Sequence, residues 1–131
     1  MPLEVTQLIH APPGTVWDQL IRVSRWPRWG PSVTEVECDD ECIRLKSRGR
    51  VRTALGFWLP FEVTAMEPGR SWHWRVGGIP ATGHRLEPDG PGRCRLVFEI
   101  PWWAAFYAPV CRAAADRIAR ICAATAENES D

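Results

Sequence analysis

The residues best suited to acid–base chemistry in this chain are one histidine and one tyrosine, His84 and Tyr107. A histidine with a pKa of about 6.5 can act as an acid or a base near neutral pH, or simply donate a hydrogen bond. Tyr107 lies on or near the last predicted helix and is the second candidate for moving protons. A lone inward-facing histidine is more often a hydrogen-bonded core residue than a catalyst, so both roles stay open for His84.

Eight tryptophans in 131 residues supply large, rigid apolar surfaces. Trp72 and Trp74 share one face of a predicted strand, and His84 and Leu86 share one face of the next. These four side chains either form the wall of a ligand cavity with one polar group, or they fill the core. The predicted ligand-binding set also includes Trp26, Trp29, Trp58, Phe98, Phe106 and Val110.

Basic residues offer two further candidates. Arg117 falls within the apolar stripe of the last helix, where it either binds a ligand's acid group or reaches solvent from the edge of the stripe. Alternation over a predicted strand, 42–55, places five basic residues on one face, namely Arg44, Lys46, Arg48, Arg50 and Arg52. This stripe either meets an anionic partner, such as an acyl carrier protein or a phosphate, or pairs with Glu35, Glu37 or Glu62 on neighbouring strands. The neutral net charge favours the second interpretation.

Composition excludes several classes of function. Sixteen Lys and Arg balance sixteen Asp and Glu, so no net charge attracts nucleic acid or an anionic membrane. The most apolar stretches, 54–61 and 100–111, are too short to span a bilayer, and no secretory leader is recognisable. Five scattered cysteines indicate free thiols in a reducing, cytoplasmic setting. The length predicts one domain over 1–131, with a disordered tail at 127–131.

No motif predicts a metal or a cofactor. Cys38 and Cys42 are separated by three residues and lack a second Cys/His pair that would complete a zinc site. The glycines follow predicted strands at turns rather than forming a phosphate-binding loop, and there is no serine nucleophile elbow. We therefore expect neither a metal nor a cofactor.

The elements that must position these residues follow from hydrophobic periodicity. Alternation predicts a strand over 3–10 and six more between 33 and 100, with a turn at 56–60. Two short helices, over 15–22 and 24–29, follow the first strand, and Ser24 is the predicted cap of the second. An i, i+3, i+4, i+7 pattern predicts one long helix from Pro109 to Ala126. Short turns favour an antiparallel meander that curves around that helix, an α+β fold with space for a pocket between them.

Several segments resemble a known superfamily. Residues 11–18, APPGTVWD, are similar to its A-P-P-x-x-V-W-D start of the first helix, and residues 26–31, WPRWGP, to its W-P-x-W-x-P second helix. Segments 49–52, 67–72 and 77–87 match in the same order. This pattern, which covers nearly the whole chain, resembles the helix-grip superfamily of START domains, birch-pollen-allergen-like proteins and polyketide cyclase/dehydrase and lipid-transport-type proteins. The resemblance implies about seven strands curved around a long C-terminal helix, with two short helices after the first strand, but no shared catalytic residues.

Three functions remain open for such a chain. It binds a small hydrophobic, aromatic or polyketide-like molecule between sheet and helix. By the resemblance, it is alternatively an aromatase/cyclase or dehydratase in which His84 or Tyr107 moves protons. The third alternative is a protein-interaction module with a filled core and an exposed patch of Phe57, Trp58, Trp102 and Trp103. A cavity of more than a few hundred Å3 around His84 would favour the first two functions, and a solid core would rule them out.

Overall fold

The computed structural model describes residues 3–129, with the backbone alone for residues 125–129. Its strands are β1 Leu3–Ile9, β2 Val33–Cys38, β3 Arg48–Thr53, β4 Trp58–Glu67, β5 Ser71–Val76, β6 Ile79–Pro88 and β7 Cys94–Ile100. They form one antiparallel sheet in the order β1-β7-β6-β5-β4-β3-β2. The predicted meander of six consecutive strands is therefore confirmed, and β1 joins it by pairing with β7.

The helices lie between β1 and β2 and after β7. They are α1 Pro13–Ile21, α2 Trp26–Trp29 and α3 Ala108–Glu129, with 3₁₀ turns at Val23–Arg25 and Trp102–Tyr107. Pro109 falls in the first turn of α3, where a missing N–H leaves no helical hydrogen bond unmade. The predicted α+β fold with a curved sheet, a long C-terminal helix and two short helices after strand 1 is confirmed. The predicted disordered tail, 127–131, extends beyond the described residues and stays a prediction.

Helix α3 covers only one side of the concave face of the sheet. Its buried residues Ala115, Ile118 and Cys122 belong to the core, and the helix packs mainly on β1, with smaller contacts to β7 and α2. The apolar stripe that predicted the helix thus accounts for its packing. The concave side of β3 to β6 is left to be filled by large side chains or to remain open.

One row of inward-facing rings crosses the sheet. Antiparallel pairing places Trp72 of β5 opposite His84 of β6, and His84 opposite Phe98 of β7. Directly paired residues on one face lie side by side, so the register alone brings the three rings together. The sheet therefore builds an aromatic layer from three consecutive strands.

The predicted strand over 42–55 is wrong in its first half. β3 begins at Arg48, because the preceding residues form a turn around the buried Ser47. The Ser47 hydroxyl accepts a hydrogen bond from the Arg44 backbone N–H at 2.9 Å and donates one to the Asp40 carboxylate at 2.8 Å. Lys46 has a φ of 73°, in the left-handed region that strands do not use. Arg44 and Lys46 therefore do not share a strand face with the other basic residues.

The remaining three basic residues lie on the outer face of β3 and pair with carboxylates of both neighbouring strands. The nitrogen–oxygen distances are 2.9 Å, 2.6 Å and 3.3 Å for the pairs Arg48–Glu62, Arg50–Glu37 and Arg52–Glu35. These are the three glutamates that the sequence pattern proposed. The stripe is a solvated strand face whose charges are already balanced.

Two local predictions also need correction. β4 begins at Trp58, inside the predicted turn at 56–60, because the chain turns earlier at Gly56, whose φ of 94° suits glycine. Ser24 does not cap α2, which has no side-chain cap. The Ser24 hydroxyl instead donates a hydrogen bond to the carboxylate of Glu41.

Candidate functional site

The space enclosed by the aromatic layer, α2 and the start of α3 is small. This inner cavity has a volume of about 50 Å3, which is room for one or two waters at about 30 Å3 each. Eight predicted site residues line it: Trp26, Trp29, Trp72, Trp74, His84, Phe98, Tyr107 and Val110. The fold thus brings these predicted residues together, but their rings occupy most of the space that a ligand would need.

Tryptophan packing explains why this space is filled. Trp26 stacks on Trp72 with ring centroids 5.6 Å apart, and the Trp74 ring meets both at a steep angle, 5.3 Å and 5.4 Å away. The indole nitrogens of Trp26 and Trp29 donate to backbone carbonyls of α1, those of Leu20 and Gln19, at 2.9 Å and 3.0 Å. Trp26 and Trp29 therefore fix α2 against α1 as well as lining the cavity.

His84 is held as a neutral ring. It is 2% exposed and stacks on Trp72 with centroids 3.9 Å apart, while its Nδ1 lies 3.3 Å from the Trp72 carbonyl oxygen. Burial lowers its pKa to about 3, an effect that the backbone hydrogen bond only partly offsets and that the nearby His73 slightly increases. At neutral pH this ring can exchange hydrogen bonds, but it holds no extra proton to give.

Tyr107 and Cys111, two other titratable residues that border the cavity, stay protonated at neutral pH. The Tyr107 and Ser32 hydroxyls are hydrogen-bonded to each other, and burial raises the pKa of Tyr107. Burial also raises the pKa of the Cys111 thiol to about 11. A thiol in that state is a poor nucleophile at neutral pH. None of these groups is tuned for proton transfer near pH 7.

A much larger space adjoins the inner cavity. This outer cleft, of about 590 Å3, lies between the ends of β3 to β6 and the 3₁₀ turn Trp102–Tyr107. Ser32, Trp74 and Tyr107 border both spaces, so the two are neighbours. The larger apolar side chains around the cleft are those of Val33, Val51, Leu55, Phe57, Leu59, Trp74, Val76, Ile79, Trp103 and Phe106. Leu55 is 85% exposed and Phe106 80% exposed.

Most residues of the outer cleft were not predicted as site residues. Phe106, Trp74 and Tyr107 were, whereas Leu55 and Phe57 were not. The sequence did contain a signal for this cleft. Small and polar residues dominate turns, so large apolar residues at a turn tip are unusual. Leu55 and Phe57 flank Gly56 in such a turn.

Three predicted ligand-binding residues lie away from both spaces. Trp58 projects from the outer face of β4, where the Arg50 guanidinium lies 4.4 Å from the centre of its ring. Leu86 is buried in the core but borders neither space. Arg117 is exposed on α3, which fits the edge of the apolar stripe rather than a buried acid-binding role. Trp58 lies away from both spaces because β4 already begins at this residue rather than after the predicted turn. Side chains alternate along a strand, so the even-numbered residues at the start of β4 point outward.

Neither a group of metal-binding side chains nor a membrane-spanning helix is found among the residues that the structure describes. Within residues 3–129 no three His, Cys, Asp or Glu residues are grouped so that they could hold a metal ion. Over the same range, no helix combines the length and the apolar character needed to cross a bilayer. All five cysteines are free thiols.

A family model described as polyketide cyclase/dehydrase and lipid transport matches residues 2–128. The chain belongs to this family. The helix-grip resemblance is thereby confirmed, and the family description gives a class of ligand-handling proteins without selecting one reaction. No protein with a curated description matches the sequence.

Solved structures of similar fold come from several bacteria. XoxI from Bacillus cereus has a TM-score of 0.72 at 9% identity, covering 92% of this chain and 94% of that one. MLL2253 from Mesorhizobium loti has a TM-score of 0.70 at 16% identity over 92% and 95%. CV1439 from Chromobacterium violaceum has a TM-score of 0.66 at 16% identity over 92% and 96%. At these identities the likeness establishes the fold alone.

Proposed function

We propose that this polyketide cyclase/dehydrase and lipid transport family member binds a small hydrophobic molecule in the outer cleft. The observation that carries the proposal is the gathering of water-exposed apolar side chains around one cleft of about 590 Å3. Ligand sites commonly enclose about 300 to 1,000 Å3. A bound apolar molecule would cover Leu55, Phe57 and Phe106, and each Å2 removed from water contributes about 25 cal/mol.

The ligand site proposed here differs in position from a pocket centred on His84. The sequence favoured a cavity beneath α3, but the rings of Trp26, Trp72 and Trp74 fill most of that region. The outer cleft lies beside it, at the open end of the sheet. Its ligand is expected to be uncharged, since none of the described residues lining the cleft is Asp, Glu, Lys or Arg.

An aromatic or polyketide-like ligand suits the shape of the lining. Trp74 and Trp103 present indole surfaces to the cleft, and Phe57 and Phe106 add phenyl rings. Aromatic pairs contribute about 0.5 to 1.5 kcal/mol beyond their buried area. The family description, which includes polyketide chemistry and lipid transport, agrees with a ligand of this class.

The two alternative functions have less support. An aromatase/cyclase or dehydratase using His84 or Tyr107 would need a pKa near the working pH, and burial moves both away from it. An interaction module using Phe57, Trp58, Trp102 and Trp103 would need them on one surface, but Trp58 packs under Arg50 on the outer face. An acyl carrier protein would meet arginines that are already paired.

Fluorescence titration with N-phenyl-1-naphthylamine, a neutral apolar probe, tests the proposal. The wild-type chain should bind the probe with enhanced fluorescence. Phe106→Ala should weaken binding about tenfold, because burying one aromatic side chain contributes roughly 1.5 to 3 kcal/mol. Leu59→Trp, which places a larger ring at the half-buried wall of the cleft, should weaken it further.

The matched control is Trp102→Ala. Trp102 is 71% exposed and lies in the same 3₁₀ turn as Phe106, yet it does not line the cleft. Its removal should leave probe affinity within about twofold. Equal weakening by both alanine variants, or no probe binding by the wild type, would contradict the proposed function.

A further inference from the structure

Four tryptophans line the inner cavity, and they divide into two pairs by hydrogen bonding. Trp26 and Trp29 donate their indole N–H groups to backbone carbonyls. Among the described residues, neither the Trp72 nor the Trp74 indole nitrogen has a partner, although both atoms are buried. Leaving a buried donor without a hydrogen bond destabilises the folded chain. Both tryptophans line the inner cavity, so a polar atom held there would supply the acceptor that their indole nitrogens lack.

His84 adds an acceptor to the same cavity. Its Nδ1 faces a carbonyl oxygen, which can only accept, so Nδ1 carries the ring hydrogen. Nε2 therefore holds a lone pair, and within the described part of the chain no hydrogen bond is made to it. The neutral ring that burial enforces keeps this lone pair available over the physiological pH range.

The cavity lacks the chemistry that would recognise an ion. None of the described residues that line it is Arg, Lys, Asp or Glu. A carboxylate or an ammonium group placed there would lose its hydration without gaining an opposite charge. The complementary group is neutral, has an oxygen that accepts from indole N–H groups, and has a hydrogen to donate to His84.

We propose that the inner cavity recognises a neutral hydroxyl group, phenolic or alcoholic, of the ligand whose apolar body lies in the outer cleft. The proposal rests on the proposed function, because it needs the cleft to hold the ligand body. The hydroxyl oxygen accepts from Trp72 and Trp74, and the hydroxyl hydrogen is donated to His84 Nε2. A volume of about 50 Å3 fits this group and the carbon that bears it. Trp74 and Tyr107 border both spaces, so the inner cavity lies next to a molecule held in the outer cleft.

Displacement of N-phenyl-1-naphthylamine by 2-naphthol, naphthalene and 2-naphthoate, all at pH 7, tests the proposal. An apolar cleft alone binds naphthalene at least as tightly as 2-naphthol, because the hydroxyl group favours water. Hydroxyl recognition instead makes 2-naphthol bind at least tenfold more tightly than naphthalene, since its hydroxyl group gains hydrogen bonds that naphthalene cannot make. The anionic 2-naphthoate should displace the probe most weakly.

Two variants assign the preference to the inner cavity. His84→Phe keeps a ring against Trp72 but removes the acceptor, and Trp74→Phe removes one donor. Each should reduce the preference for 2-naphthol over naphthalene at least fivefold. Trp102→Phe makes the same chemical change at an exposed indole and should retain the preference. If His84→Phe fails to fold, Trp74→Phe and the wild-type ligand series still decide the outcome.

The outcomes separate the two proposals. Equal binding of 2-naphthol and naphthalene, with the probe still bound in a Phe106-dependent way, would mean that the inner cavity holds only water and would overturn hydroxyl recognition alone. Tighter binding of 2-naphthoate than of 2-naphthol would also overturn it. Failure of every compound and of the probe to bind would overturn the outer-cleft function itself.

Discussion

The inner cavity and the outer cleft are lined by the same kinds of residue, but these side chains are packed and buried around the first and exposed around the second. Around the inner cavity, aromatic rings of β5, β6, β7 and α2 pack against one another, and Trp26 and Trp72 are almost fully buried. In the outer cleft, Leu55 and Phe106 remain mostly exposed around about 590 Å3 of space. Aromatic content alone therefore does not tell a packed core from a binding site.

The position of α3 accounts for the difference. The helix packs mainly on β1, and its first turns border the inner cavity that Trp26, Trp72 and His84 also line. Toward β3 to β6 the concave face is bordered by the short 3₁₀ turn Trp102–Tyr107 instead. The helix therefore packs against one edge of the sheet, and the apolar surface toward β3 and β4 is not covered by it.

Unfolding free energies give the largest expected contrast between the two regions. Trp26→Ala should lower the free energy of unfolding by about 3 to 5 kcal/mol, because a fully packed ring is removed from a closed region. Phe106→Ala should change it by less than about 0.5 kcal/mol, because that ring is mostly exposed. Urea denaturation followed by circular dichroism measures both.

A milder substitution at Trp26 provides a measurable variant if Trp26→Ala does not fold. Trp26→Phe keeps an aromatic ring but removes the hydrogen bond to the Leu20 carbonyl. It should fold and lose less than Trp26→Ala. Similar losses for Trp26→Ala and Phe106→Ala would mean that the inner region is not packed as described.

The pH dependence of stability gives the second contrast, since it depends on the inner region through His84. The folded-state pKa of about 3 lies below the ordinary value of 6.5, so the unfolded chain binds more protons between these limits. The contribution is fully present above pH 6.5 and is lost as the pH falls toward 3, by up to about 1.4 kcal/mol per pH unit. Urea midpoints measured at pH 7.5, 6, 5 and 4 follow this loss.

A variant separates the contribution of His84 to the pH dependence of stability from that of the carboxylates that titrate over the same pH range. His84→Gln keeps a polar side chain that does not titrate, so its stability should fall less steeply below pH 6.5 than that of the wild type. Nearby His73 remains in both chains, which keeps its electrostatic influence on the comparison constant. Parallel curves for the two chains would show that His84 titrates normally and is not sealed in.

The fold and the inner region were predictable because they depend on local patterns. Alternation placed Trp72, Trp74 and His84 on inward faces, and short turns fixed which strands pair, so the aromatic layer followed. The predicted strand was wrong over 42–47 for a different reason. Alternating residues there end in a turn around Ser47, whose hydrogen bonds to Arg44 and Asp40 are tertiary details that periodicity does not contain.

The position of the ligand space depends on features that a sequence pattern does not encode. Whether Trp72 and Trp74 border a cavity or touch Trp26 is decided by how α2 packs on α1 through the indole hydrogen bonds of Trp26 and Trp29. The outer cleft depends on how far α3 extends over the sheet. Leu55 and Phe106 are 51 residues apart in sequence and line one cleft only because the 3₁₀ turn faces the ends of β3 and β4.

The boundary between the two spaces gives the smallest expected effect. Ser32 and Tyr107 border both, and their hydroxyls are hydrogen-bonded to each other. Tyr107→Phe should lower the free energy of unfolding by about 1 kcal/mol, because it removes one hydrogen bond and leaves the Ser32 hydroxyl without that partner. Urea denaturation measures the loss.

A double-mutant cycle shows whether the two hydroxyls act together at this boundary. Ser32→Ala should lower stability by a similar amount, and the double variant should lose little more than either single one, giving a coupling of roughly 0.5 to 1.5 kcal/mol. Additive losses would mean that the hydroxyls do not bond in solution. The boundary between the inner cavity and the outer cleft would then be held by side-chain packing rather than by this hydrogen bond.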